Sequence, residues 1–259
     1  MAGIPLFFME KILIDEPMPD YKIEEMYDLN PHLDNLEDLV YEEMPHAFKP
    51  LLEKVFQKDK RTYIHSLESG AVMIDLLLRL AERGMNISRD LRQIVILGAT
   101  LHDVGKTQDE DIIRLINLPR TLMTDEKTVV ARHAELGEVH IEQCMAAESF
   151  SDNEKVVLSR VKQFARFHHS PEHCPDEDLR PFITLLHLMD QIVGRTDKNR
   201  PYLVTDQNFI TLSDAAKEVL NDMREHGRHG PILGSSIGEL CVFTIDSIGR
   251  LRAVDTMDQ

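Results

Sequence analysis

The chain has 259 residues, 42% of them hydrophobic, enough to bury the core of one large domain or of one domain with a small appendage. Its formal charge of -16 and isoelectric point near 5.1 argue against broad binding to nucleic-acid backbones, so an anionic ligand needs local positive charge from metal ions or a few lysines and arginines. Three scattered cysteines (Cys144, Cys174, Cys241) with no CxxC exclude a disulfide framework and a thiolate zinc site. No apolar run approaches about 18 residues, and the N-terminus lacks a basic segment followed by an apolar core, so the expectation is a soluble cytoplasmic protein with no membrane partner.

Residues 1–30 open with Ile4-Pro5-Leu6-Phe7-Phe8-Met9 and Ile12-Leu13-Ile14 before an acidic, proline-containing stretch, which reads as a short strand or a packing arm. From Leu33 to Phe56 the pattern is helical, broken at Pro45 and Pro50. Over 61–83, Ile64, Leu67, Ala71, Ile74, Leu77, Leu78 and Ala81 recur at three- and four-residue spacing, and Gly84 ends this helix. His65 lies on the flank of its apolar face.

Ser88 caps a second helix, Arg89 to His102, whose apolar run from Ile94 to Leu101 ends abruptly in His102-Asp103-Val104-Gly105-Lys106. A histidine and an aspartate at the end of a buried segment are costly unless paired, and a divalent cation would pair with both. Gly105 is expected to take positive φ and stop the helix, leaving Lys106 within reach of an anion. A short helix follows over Asp109–Ile116. Thr124 is the expected cap of a longer one, Asp125 to Met145, with His133, Gly137, Ile141 and Cys144 on one face. On this pattern His133 points inward, and Gly137 leaves space for a close neighbour.

Asp152 caps the next helix, which runs through Val161, Phe164 and Phe167 into His168-His169 and a Ser-Pro stop. Pro181 begins another, carrying Phe182, Leu185, Leu186, Met189, Ile192 and Val193, with Asp190 at the border of its buried face. Beyond residue 204 the pattern changes. Ser213–Glu225 reads as a capped helix, Gly227, Gly230 and Gly234 mark loops, and Leu240–Asp246 and Leu251–Asp255 alternate like strands about a turn at Ser247–Arg250. The C-terminal region 204–259 is therefore expected to be a small α+β appendage.

His65, His102-Asp103, His133, His168 and Asp190 come from five helices and all lie at inner faces or helix ends. Neutral imidazoles and carboxylates converging in this way can hold two metal ions about 3.5–4 Å apart, with Asp103 the natural bridge. Such ions would lower the pKa of water between them and polarise a phosphoryl oxygen.

In this order, His … His-Asp … Asp, the chain resembles the HD superfamily of metal-dependent phosphohydrolases. The finer likeness is to its HD-GYP branch, through His65-Ser66, Leu101-His102-Asp103-Val104-Gly105-Lys106, Leu122–Glu126 leading to His133 and Gly137, His168-His169, and Asp190 followed by Arg200-Pro201-Tyr202. The resemblance covers residues 60–203, with 1–59 an N-terminal arm and helix. It implies a mainly α fold, an HD helical core, with His65, His102, Asp103, His133, His168, His169 and Asp190 as metal ligands. It implies divalent transition-metal ions, iron or manganese first, with zinc, nickel or cobalt as alternatives. Asp103 and Lys106 would be catalytic, and Lys106 and Arg200 would contact substrate phosphate. The HD-GYP substrate is a cyclic dinucleotide, cyclic di-GMP, opened to its linear form.

This chain departs from that branch in two places. Ser170-Pro171-Glu172-His173-Cys174-Pro175 replaces the Gly-Tyr-Pro loop, and Arg61 stands where three-metal members carry Glu. The expectation is thus two ions and a small phosphoester or nucleotide substrate, with a homodimer compatible. The alternatives are an HD enzyme for another nucleotide, a catalytically inactive ligand-sensing domain, or a relaxase-like protein suggested by His65-Ser66-Leu67-Glu68, which the net charge disfavours.

Overall fold

The computed structural model describes residues 33–82, 84–118, 120–147, 150–196, 211–225 and 244–249. Ten helices carry most of them: α1 (Leu33–Glu43), α2 (Lys49–Lys58), α3 (Lys60–Glu82), α4 (Arg89–Leu101), α5 (Glu110–Ile116), α6 (Thr124–Ala131), α7 (His133–Ala147), α8 (Asp152–Phe167), α9 (Arg180–Thr196) and α10 (Leu212–Glu225). Short 3-10 turns at His46–Phe48, Val104–Gln108 and Pro171–His173 connect them, and no strand occurs among the described residues. No helix there is long and apolar enough to cross a membrane.

The longest helix, α3, lies at the centre, packed against α1, α2, α4 and α9. Helix α4 is held between α3 and α8, and α7 lies on α8 and on the Val104–Gln108 turn. Most of α3 is buried, which a helix with apolar residues around most of its circumference requires. Buried side chains from Leu36 in α1 to Met223 in α10 form one continuous core.

Local chemistry sets the helix ends. Ser88 Oγ accepts from the Leu91 N–H at 3.2 Å to start α4. Asp109 accepts from the Asp111 N–H at 2.9 Å to start α5. For α8 the cap is Ser151, one residue before the expected Asp152, because Glu154 reaches back to the Ser151 N–H at 2.7 Å and completes a capping box. Pro45 interrupts the chain before α2, whereas Pro50 sits in the first turn of α2, where no N–H is needed.

Three expectations are corrected. The helix expected from Asp125 to Met145 is two helices with a break at Arg132, and Thr124 is its first residue, the preceding Met123 N–H being held by Glu126 at 2.8 Å. The break lets His133 begin α7. Gly105 does not use positive φ. It lies in a 3-10 turn, and Gly84 (φ 89°) is the positive-φ glycine among the described residues. A Cβ on Gly105 would overlap the His133 carbonyl and the Gly137 backbone, so its role is close approach of two backbones.

The third correction concerns the C-terminal region. Residues 244–249 are helical where a strand and turn were expected, and Thr244, Ile245, Ser247 and Ile248 are buried. Ser247 donates to Asp75, and Asp246 pairs with Arg79, both on α3. Buried residues at i, i+1, i+3 and i+4 suit a helix face, and packing on α3 overrides the weak alternation of the sequence. The expected strand Leu251–Asp255, the loops at Gly227, Gly230 and Gly234, and the arm over 1–30 lie outside the described residues.

Gly105→Ala should be strongly destabilising, because neither backbone can yield locally. Overpacking of this kind typically costs about 1–3 kcal/mol, which for a chain of this size is a fall of roughly 2–4 °C in Tm per kcal/mol. Thermal unfolding checks it, and an unchanged Tm would refute the close approach as the reason for glycine.

Candidate metal centre

Five helices deliver the site. His65 projects from the first third of α3. Helix α4 ends at Leu101, so His102 and Asp103 occupy the turn into Val104–Gln108, where the Lys106 N–H bonds the Asp103 carbonyl at 2.9 Å. His133 opens α7, pressed towards that turn by the Gly105–Gly137 contact. Helix α8 ends at Phe167, and His168-His169 turn the chain towards Ser170-Pro171. Asp190 comes from the buried face of α9. Both abrupt histidine-bearing helix ends therefore reach the same interior point.

The groups form two clusters, each with its donor atoms within 4.8 Å of one another: His65, His102, Asp103 and Asp190, and separately His133, His168 and His169. Asp103 joins them. Its Oδ2 lies 3.4 Å from both His65 Nε2 and His102 Nε2, and its Oδ1 lies 3.2 Å from His133 Nε2 and 3.7 Å from His168 Nε2. On the first side Asp190 Oδ1 is 3.0 Å from His65 Nε2 and 3.7 Å from His102 Nε2. All seven side chains are buried or nearly so.

Main-chain carbonyls decide which histidine nitrogens face inward. The Nδ1–H of His102 donates to Ala99 O at 2.7 Å, that of His133 to Val130 O at 2.6 Å, and that of His168 to Ala165 O at 2.9 Å. A carbonyl can only accept, so in the neutral rings each Nε2 carries a lone pair. The lone pairs of His133 and His168 point at each other across 3.1 Å, and His169 Nε2 lies 3.2 Å from His133 Nε2. Acceptors packed on acceptors without water are repulsive unless a cation lies between them. Tying Nδ1 to a carbonyl to present Nε2 is also how proteins orient imidazole ligands.

The electrostatics agree. Burial pushes His168 well below the ordinary histidine range, and the neighbouring His169, His102 and His133 add to it. Burial beside His133 lowers His169 to about 3. These rings stay neutral, the form that binds metal. On the other side burial opposes ionisation of Asp103, but Lys106, His102 and His133 outweigh it and hold the carboxylate well below its usual range. Asp190 behaves likewise, burial being outweighed by the neighbouring His102 and by His65, whose Nε2 lies 3.0 Å from Asp190 Oδ1. His102 is raised, since Asp103 and Asp190 overcome its desolvation. Two buried carboxylates facing inward-pointing imidazoles form a cluster suited to positive charge, and hard-and-borderline N/O donors suit a divalent transition-metal ion.

Each ligand residue expected from the sequence reaches this centre. The Lys106 ammonium pairs with Asp103 from the partly exposed side. Arg200 lies outside the described residues. Arg195, the other conceivable partner for Asp190, bonds Gln191 and faces Glu218 instead. One residue escaped the sequence reading: His187, buried on α9 three positions before Asp190, donates from Nδ1 to the His168 carbonyl at 2.7 Å and so holds the His168-His169 turn. Its position on the face of α9 that carries Asp190 was the available signal.

Replacing Asp103 with Asn should lower the metal content of the protein, since its two oxygens face the two histidine sets; elemental analysis that still finds full metal content in the variant would exclude a shared carboxylate. The pH dependence of the metal-free protein follows from His169. Its unfolded form takes a proton near 6.5, whereas the folded form refuses it down to about 3. Its contribution is therefore fully present above pH 6.5 and is lost as pH falls towards 3. The Tm of the metal-free wild type should fall between pH 7 and 5 more steeply than that of His169→Gln, and equal slopes would count against a neutral buried His169.

No curated protein and no solved structure matches the chain. The sequence profile of the family described as HD domain matches residues 62–198, more than half of the chain. That span takes in His65, the His102-Asp103 pair, His133, His168-His169 and Asp190. The chain belongs to the HD domain family, which in general comprises metal-dependent phosphohydrolases.

Proposed function

We propose that the protein is a phosphohydrolase that uses two divalent transition-metal ions, iron or manganese first, to cleave a phosphoester of a nucleotide or similar small molecule. The observation that supports this most is the division of Asp103, whose two oxygens face two separate sets of histidine nitrogens. In this reading His65, His102 and Asp190 hold one ion, His133, His168 and His169 hold the other, and Asp103 serves both. When bound, such a pair supplies Lewis acidity, acidifying water and drawing charge from a phosphoryl group.

The remaining work falls to the chain. Asp103 sets the spacing and, held ionised, keeps the centre able to accept positive charge. Lys106, 17% exposed at the rim and anchored by the Val104–Gln108 turn, stands where it can neutralise a non-bridging phosphoryl oxygen as charge builds there. Buried helices around the site exclude bulk water, which strengthens that interaction. Cyclic dinucleotides belong in the substrate class because of the HD-GYP-like motifs. The net charge of -16 argues against long nucleic acids.

Lys106→Ala should keep the metal content of the wild type while lowering turnover of a phosphoester by roughly 10²-fold or more, the scale of losing one transition-state donor. The substrates are cyclic and linear dinucleotides, nucleoside monophosphates and chromogenic mono- and diesters, with Mn(II) or Fe(II) supplied. A metal-loaded wild type that turns over none of them, yet binds a nucleotide that Lys106→Ala releases, would replace the enzyme with a ligand sensor. Loss of metal in Lys106→Ala would instead show that the lysine has been misplaced.

A further inference from the structure

Arg61 is an electrostatic anomaly. It is partly buried near the start of α3, its Nη1 is closed off from solvent, and its guanidinium has no hydrogen-bond or ion-pair partner among the described residues. Every other arginine there that is not exposed has one. Arg79, Arg92, Arg160, Arg166 and Arg195 each face a carboxylate, and Arg180 donates to the Cys174 carbonyl. In a chain with 45 acidic residues, a partly buried and unpaired guanidinium is unexpected on stability grounds.

Its position supplies a reason. Arg61 stands one helical turn before His65 and on the same side of α3, where residues four apart are neighbours. His65 touches Asp103 and Asp190. On the other side, Lys58 Nζ donates to the Thr107 carbonyl at 2.9 Å, joining the end of α2 to the turn that carries Lys106. Along the chain Arg61 thus lies between Lys58, which meets the Lys106 turn, and His65, the first histidine of the centre. On this side Lys106 already pairs with Asp103, whereas Arg61 has no ion-pair partner among the described residues.

We infer that Arg61 is a substrate-recognition residue, whose guanidinium receives oxygens of the substrate's phosphoryl group at the Lys106 side of the metal centre. The planar fork can donate two parallel N–H bonds to a phosphate, which lysine cannot do. The unpaired state is then a reserve of binding energy, realised when an anion arrives. This inference rests on the phosphohydrolase reading and adds the residue that selects for a phosphoryl oxyanion.

The test uses the full chain, wild type, Arg61→Gln, Arg61→Lys and, as a control for lost charge, Arg89→Gln at the exposed start of α4. Three quantities are measured: metal content, Tm of the metal-free protein, and binding of inorganic phosphate to the metal-loaded protein by calorimetry, with KM and kcat for whichever phosphoester the wild type cleaves. Arg61→Gln should keep its metal, melt at or above the wild-type temperature, and bind phosphate about tenfold or more weakly, with the loss in KM rather than metal loading. Arg61→Lys should recover only part of the affinity, and Arg89→Gln should match the wild type. A Tm several degrees lower in Arg61→Gln would show a structural arginine and overturn the inference, as would unchanged phosphate affinity. A wild type that, loaded with metal, neither binds phosphate nor cleaves a phosphoester would overturn the phosphohydrolase reading itself.

Discussion

A carboxylate at the centre of a helical core is the constraint on which the rest of this structure depends. Asp103 is 1% exposed and ionised, a state that isolated burial would forbid. It persists because Lys106 pairs with it from its own turn, while His65 and His102 face one of its oxygens and His133 the other. The surrounding imidazoles are only partly satisfied by it. Three of them spend their Nδ1–H on main-chain carbonyls, and the inward nitrogens are left as acceptors. The arrangement is consistent only when further positive charge occupies the interior, and that requirement ties the fold to its chemistry.

Close approaches at glycines make the convergence possible. Gly105 and Gly137 let the Val104–Gln108 turn and α7 approach without intervening side chains, which brings His133 to Asp103. Gly98 makes room on α4 for the Phe164 ring of α8: a Cβ there would enter the ring, and the close packing brings the ends of these helices, His102 and His168, within 5.0 Å between ring centroids. Glycine in a helix lowers its intrinsic stability. Here that cost is set against the convergence of the histidines on Asp103. The break at Arg132 belongs to the same logic, since a continuous helix would not begin with His133.

Stability and function divide the charged residues differently. Most buried or half-buried arginines tie helices together through carboxylates, as Arg79 does between α3 and the 244–249 segment. The groups at the centre do the reverse. His102, His133 and His168 are held in orientations that favour a ligand over their own mutual packing, with His187 bracing the His168 turn from behind. Such local conflict concentrated in one place, inside an otherwise consistent helical core, is the physical mark of a functional site.

Much of this was legible in the residue order. Helical periodicity located α3, α4, α8 and α9, because burial of one face imposes a repeat that survives any tertiary arrangement. Polar residues cutting off apolar runs, at His102-Asp103 and His168-His169, marked the site, since a buried histidine or aspartate requires a partner. The sequence could not show the partner itself: that Asp103 divides its oxygens between two histidine sets, that carbonyls select the inward nitrogens, or that His187 braces the turn, because these depend on contacts among residues up to 125 positions apart. The same limit explains the errors. The weak alternation over 240–246 suggests a strand, yet residues 244–249 are helical, because the face of α3 bearing Asp75 and Arg79 receives a helix. Gly105 reads as a helix stop from its neighbours in sequence, whereas the reason for glycine there is the His133 carbonyl, a neighbour only in space. The sequence by itself determined which residues must be buried and which of those need a partner; only the tertiary structure decided who the partners are, because pairing is a property of distance and not of order along the chain.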